Sequence, residues 1–235
     1  MKKRTSIIAN IAIAVVLVSL SIAVFSVDMG RIYTTVAAPV TSGNKNEKNV
    51  SLMICVEASS DGASLDEIVN ILALRKMSAT FFVTGSWVMK NPQRIRNMHT
   101  LGFEIASHGF SGNDMKALNA EQQRKEILDN HALVKGLIGV DMKLFMPPAG
   151  SYNRDMLKVI SALGYTAVLS CCDTKSKAPD ASASAIFTRA TDDIKNGHLI
   201  LVCPTPQVAQ ALPSILDFYQ KNEYGVVKVS DNIAV

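Results

Sequence analysis

The stretch ATFFVTGSWVMKNPQRIRNMHTLGFEIASHG, residues 79–109, decides how the chain folds. It opens on a short apolar run, ATFFV at 79–83. That run is aromatic and β-branched and too short for a helix, so it reads as a buried strand. Asn91-Pro92 then supplies a cap and a proline preset for the first helical turn. The helix runs towards Leu101-Gly102, and FEIAS at 103–107 returns as a strand that ends at Ser107-His108. Strand, helix and strand in this order form a parallel crossover unit.

The same alternation continues on both sides. Upstream, SLMICV at 51–56 is a strand, and Ser64 with Glu67 forms a capping box before Ile68, Ile71 and Leu72. Downstream, Asn119 with Gln122 caps a long helix whose stripe is Ile127, His131, Val134 and Ile138. KLFM at 143–146 is a strand stopped by Pro147-Pro148, and Asn153 caps a helix that ends at Gly164. TAVLS at 166–170, LILV at 199–202 and GVVKV at 225–229 read as strands. Helices are expected around Ala185 to Lys195 and from Pro213, as first helical residue, to Asn222. Repeated units of this kind predict an α/β fold with a parallel sheet under helices, a closed or nearly closed (β/α) barrel. No glycine-rich phosphate loop follows any strand, which leaves a nucleotide partner without support. The formal charge of +4 is not gathered into a basic tract, so nucleic acid is equally unsupported.

The N-terminus differs. After Lys2, Lys3 and Arg4 comes SIIANIAIAVVLVSLSIAVFSV, residues 6–27, which is 22 residues without a charge. That length spans a bilayer core as a helix, and the basic flank keeps residues 1–5 cytoplasmic. The expectation is a single-pass anchor at 6–27, a polar linker at 28–49 containing TSGNKNEKN, and an extracytoplasmic domain at 50–235. The rival is a cleaved signal peptide with a site near Val36-Ala37-Ala38, which would release a secreted domain. The four cysteines, Cys55, Cys171, Cys172 and Cys203, form no C-x-x-C pair and read mainly as small buried hydrophobes.

In parallel α/β folds chemistry sits just past the C-terminal ends of strands. Those positions carry Glu57-Ala58-Ser59, His108 and Gly112, Met146 to Gly150, Cys171 to Asp173, and Cys203. With ATFFVTG, NPQRIRNMHTLGFEIASHG, LFMPPAGSYN, LGYTAVLSCCDT and NGHLILVC in this order, residues 50–233 resemble the NodB-type polysaccharide deacetylases. The resemblance implies a distorted (β/α) barrel, a divalent metal, often zinc, and removal of acetyl groups from peptidoglycan, chitin-like glycans or xylan.

It also implies where the chemistry should lie. The family's T-F-D-D-G falls on Cys55 to Ser59, so Glu57 stands at the general base and Ala58 at a metal ligand. Its H-x-x-x-H keeps His108 and meets Gly112 at the second ligand. Its R-P-P-Y-G loop falls on Met146, Pro147, Pro148, Ala149 and Gly150, the groove loop. Its D-x-x-D-W-like segment falls on Asp173 to Lys177, keeping Asp173 alone, and the general acid is met by Cys203. One surviving ligand cannot hold a catalytic zinc, which needs three protein groups. The expectation is therefore no cofactor and a pseudoenzyme of the cell envelope or spore, binding a glycan or an envelope protein. The alternative is an active metal-dependent N-deacetylase with a rebuilt site, through Asp61 in a shifted register or through Cys203, which would bind zinc or another divalent metal.

Overall fold

The computed structural model describes residues 38–234. Eight parallel strands form one sheet: β1 (Asn49–Val56), β2 (Thr80–Val83), β3 (Glu104–Ser107), β4 (Leu144–Phe145), β5 (Thr166–Ala167), β6 (Cys172–Asp173), β7 (His198–Val202) and β8 (Gly225–Val226). Their order is β5-β4-β3-β2-β1-β7-β6, with β8 also on β1. The helices are α1 (Gly62–Leu74), α2 (Gly85–Lys90), α3 (Pro92–Thr100), α4 (Ala120–Ile138), α5 (Arg154–Ala162), α6 (Ala183–Thr191), α7 (Pro206–Lys221) and α8 (Val229–Ile233). The crossover at 79–109 forms as expected, with α2 inserted ahead of the Asn91-Pro92 start.

The ends of the sheet are joined in an unusual way. β5 pairs with β4 and β6 pairs with β7, yet no helix separates β5 from β6. Both are parts of one stretch, 166–173, so the sheet curls back on itself through chain continuity instead of a strand ladder. The gap is covered by an N-terminal strap: Val40 bridges Val168, and Ser42 bridges His198. The Val40 N–H donates to the Ala167 carbonyl at 2.8 Å, and the Leu169 N–H to the Val40 carbonyl at 2.9 Å.

Inside the curl, Met53, Cys55, Phe82, Ala106, Leu144, Met146, Val168 and Leu199 form a buried cluster. The alternate residues Leu52, Ile54, Val56, Phe81 and Val83 are equally buried. A parallel sheet sheathed by helices has both faces dry, which is why its strands read as continuous apolar runs. Because side chains alternate, Glu57, His108 and Cys203, two residues past Cys55, Ala106 and Leu201, project from the same face at the C-terminal rim.

Several sequence expectations need correction. The cap of α1 is Asp61, not Ser64: the Asp61 carboxylate accepts the Ala63 and Ser64 N–H groups. Pro213 lies inside α7; Pro206 opens it behind the Thr205 cap, whose hydroxyl accepts the Val208 N–H. α6 starts and stops earlier than Ala185 to Lys195, capped by Ser182. The strands at 143–146, 166–170 and 225–229 shrink to two residues each, and β6 was not foreseen. The buried stripe of α4 is Gln123, Ile127, Asn130 and Val134; His131 stands at its edge, bonded to the Tyr165 hydroxyl and Asp141. Residues 38–48, expected to be spacer, belong to the domain through the strap. Among the four cysteines only Cys55 is buried, while Cys171 is exposed. The expected anchor at 6–27 lies outside the described residues, among which no helix is long and apolar enough to cross a membrane.

Candidate functional site

A cleft of about 430 Å³ opens at the C-terminal rim, lined by Cys55, Glu57, His108, Met146, Lys177 and Cys203 among others. Cys55, Glu57, His108, Met146 and Cys203 arrive by the strand alternation just described, and Lys177 comes from a turn after β6. Asp173, Pro147, Ala149 and Gly150 also line it, so most positions marked by the sequence are brought together.

His108 is the buried centre, with a side chain only 2% exposed. Its Nδ1 lies 2.7 Å from the Met146 carbonyl. Since a carbonyl only accepts, Nδ1 carries a proton and Nε2 faces the cleft. There it meets Glu57 Oε1 at 3.4 Å and Cys55 Sγ at 3.5 Å. Cys55 Sγ lies 3.6 Å from the same Glu57 oxygen. The three donor atoms lie within 4.8 Å of one another, which makes them a set able to hold a metal.

The other Glu57 oxygen, Oε2, accepts a hydrogen bond from Lys177 Nζ at 2.5 Å. Hydrogen bonding from His108, then from Lys177, outweighs burial and lowers the Glu57 carboxyl to a pKa of about 2. Burial alone would depress the Lys177 ammonium, but Glu57 and Cys203 raise it above its ordinary value. Cys203 sits one step past Val202, which pairs with Ile54, so it neighbours Cys55 across two adjacent strands. Hydrogen bonding to Cys203, with burial, pushes the Cys55 thiol well above its usual range, and the same contact lowers Cys203.

The metal set that the resemblance implies does not fit these residues. Ala58 offers a methyl group in an exposed turn. Gly112 has a left-handed backbone, φ +78°, and a Cβ there would lie 3.1 Å from Thr84 Cγ2. Its loop is pinned by Glu126 of α4, whose Oε2 accepts the Phe110 and Ser111 N–H groups at 2.9 and 2.8 Å and the Ser111 hydroxyl at 3.0 Å. A histidine at 112 would need a strained backbone and a displaced neighbour. Asp61, the alternative ligand, is committed to capping α1 and also accepts the Ser64 hydroxyl. It is exposed and absent from the rim cluster. Asp173 accepts the Lys175 N–H at 2.7 Å at the edge of the cleft. Pro147 and Pro148 are buried and frame a turn in which Ala149 takes φ +55°.

Two participants were not marked in the sequence. Cys55 looked like one more apolar strand residue, although the pattern Cys55-x-Glu57 at a strand end places both side chains on one face. Lys177 stands where the resembling motif has its tryptophan; no spacing signal ties it to Glu57, 120 positions away.

Comparison with known proteins bears on the family and the fold. Residues 43–168, just over half of the chain, match the family described as polysaccharide deacetylase. The chain is 27% identical over 196 residues to the uncharacterized protein YlxY of Bacillus subtilis, covering 82% of this chain and 60% of that one. It is 27% identical over 193 residues to a peptidoglycan-N-acetylglucosamine deacetylase of Bacillus cereus, covering 79% and 88%. In three dimensions it matches BA3943, a CE4 family pseudoenzyme from Bacillus anthracis, with a TM-score of 0.78 at 22% identity, over 83% of this chain and 68% of that one. The sequence motifs and the match over 43–168 converge: the chain belongs to the polysaccharide deacetylase family.

Proposed function

We propose that this protein is a non-hydrolysing member of its family, held at the membrane by residues 6–27, which binds an acetylated cell-envelope glycan in the rim cleft without deacetylating it. The observation that carries the proposal is the loss of the ligand set that the resemblance implies: Ala58 offers no donor atom, and Gly112 has a left-handed backbone whose Cβ would meet Thr84. Glu57, at the general-base position of the resemblance, is tied through Oε2 to Lys177. Ala58, Gly112 and Cys203 remove the matching ligands and the acid from the same step, so no remaining group compensates.

The test incubates the full chain with N-acetylated peptidoglycan and with chitin oligomers, with zinc present, and measures both acetate and retention on the insoluble glycan. Retention without acetate above the blank is expected. A second reading, an active metal-dependent N-deacetylase, is favoured by the Cys55–Glu57–His108 cluster. Acetate release that a chelator abolishes would establish it and overturn the first.

A further inference from the structure

We propose that Cys55, Glu57 and His108 form a binding site for a thiophilic divalent cation, with zinc as the fitting occupant, through a ligand set distinct from the one the resemblance implies. The triangle of donor atoms measures 3.5 Å from Cys55 Sγ to His108 Nε2, 3.4 Å from Nε2 to Glu57 Oε1, and 3.6 Å from Sγ to Oε1. A tetrahedral zinc with bonds of about 2.3 Å to sulfur and about 2.0–2.2 Å to nitrogen and oxygen spaces its ligands similarly. It places nitrogen and oxygen about 3.4 Å apart and sulfur about 3.6 Å from either. The three edges match the spacing of that face.

Orientation supports the same occupant. Metal-bound histidines donate their other ring N–H to a carbonyl or carboxylate, which fixes the ring and raises its basicity. The His108 Nδ1 contact with the Met146 carbonyl at 2.7 Å supplies that partner. Glu57 divides its work: Oε2 takes Lys177, and Oε1 faces the triangle. A thiolate and a carboxylate together offset the dication, and the Lys177 ammonium on Glu57 Oε2 leaves one positive charge beside the site. The sulfur donor discriminates against magnesium and calcium, which prefer all-oxygen cages. His108 and Cys55 are buried, whereas the Glu57 side chain is 28% exposed and faces the cleft, leaving one side for entry. Binding exchanges the Cys55 thiol proton, released to solvent, for the ion, which takes Sγ, His108 Nε2 and Glu57 Oε1 as ligands with no change of oxidation state. The inference does not depend on the absence of hydrolysis. A Glu57 that ligates a metal is not free to act as a base, and ligation through His108 Nε2 replaces the hydrogen bond this nitrogen gives Glu57 in the metal-free chain.

The experiment titrates the full chain, in detergent micelles, with cobalt(II) as the probe. Expected is one cobalt per chain, with tetrahedral ligand-field bands and a thiolate-to-cobalt charge-transfer band, all displaced by zinc. Cys55→Ser should remove the charge-transfer band and Cys203→Ser should retain it. His108→Ala should weaken binding about 100-fold or more, beyond the loss typical of an outer-shell partner. Absence of the charge-transfer band from the wild-type chain at a large excess of cobalt overturns the site, and that arm needs no variant to fold. Loss of the band in Cys203→Ser with survival in Cys55→Ser overturns the ligand assignment. Urea transitions followed by the fluorescence of Trp87, the single tryptophan, verify that each variant is folded. Acetate plays no part in these readouts, so failure here is separate from failure of the proposed function.

Discussion

Glu57→Gln provides the sharpest test of the rim electrostatics. The wild-type carboxyl is lowered from 4.5 to about 2 by His108 and Lys177. A group depressed on folding stabilises the native state above its unfolded pKa, and that contribution is lost as pH falls through the folded one. Linkage sets its full size at about 3 kcal/mol at pH 7. By pH 3 about 1.4 kcal/mol of it remains, since both states are then partly protonated. The Lys177 side chain is 43% exposed and its share is screened, so these values are upper bounds. Glutamine does not titrate. The gap in unfolding free energy between wild type and Glu57→Gln should therefore shrink by up to about 2 kcal/mol between pH 7 and pH 3. Urea unfolding of the full chain, followed by Trp87, which is buried in α2, measures it. A gap that is the same at both pH values would refute the claim that Glu57 is held as a low-pKa carboxylate.

Three further outcomes follow from the structure. Gly112→Ala should cost about 1–2 kcal/mol for the left-handed backbone, plus a steric part from Thr84 Cγ2 that adding Thr84→Ser relieves, as urea melts will read. Asp61→Ala should lower stability by about 1 kcal/mol through the lost α1 cap while leaving the cobalt spectrum unchanged; a changed spectrum would return Asp61 to the site. Glu126→Gln should speed amide hydrogen exchange at Phe110 and Ser111 selectively, and uniform protection would show that the carboxylate does not pin this loop.

Much of the fold was legible because local and global preferences agree. The runs at 51–56, 79–83, 103–107 and 199–202 are all strands, and the caps at Asn119 and Asn153 form as read. The failures have separate causes. Pro213 resembles a helix start, but Thr205-Pro206 pairs a capping hydroxyl with a first-turn proline and extends the helix upstream through it. β6 is two residues long, too short for any periodicity to reveal. At the site, strand-end logic identified Glu57, His108 and Cys203, since period-two alternation carries inner-face residues to the rim. It missed Cys55 because a buried thiol looks like any small apolar residue. It missed Lys177 because an ion pair across 120 positions leaves no trace in spacing.

The seam between β5 and β6 bears on how such a cleft diversifies. Leu169 and Ser170 face the cleft from the stretch between the two strands, which the strap at 40–42 supports in place of a strand ladder. Exchanges there alter the wall of the cleft while β4 and β7 keep their pairings to β5 and β6. In evolutionary terms the seam is a sector of low pleiotropy. Drift can retune what the rim accepts with little penalty to the scaffold, whereas the equivalent change at Ala106 or Met53 would disturb the whole sheet.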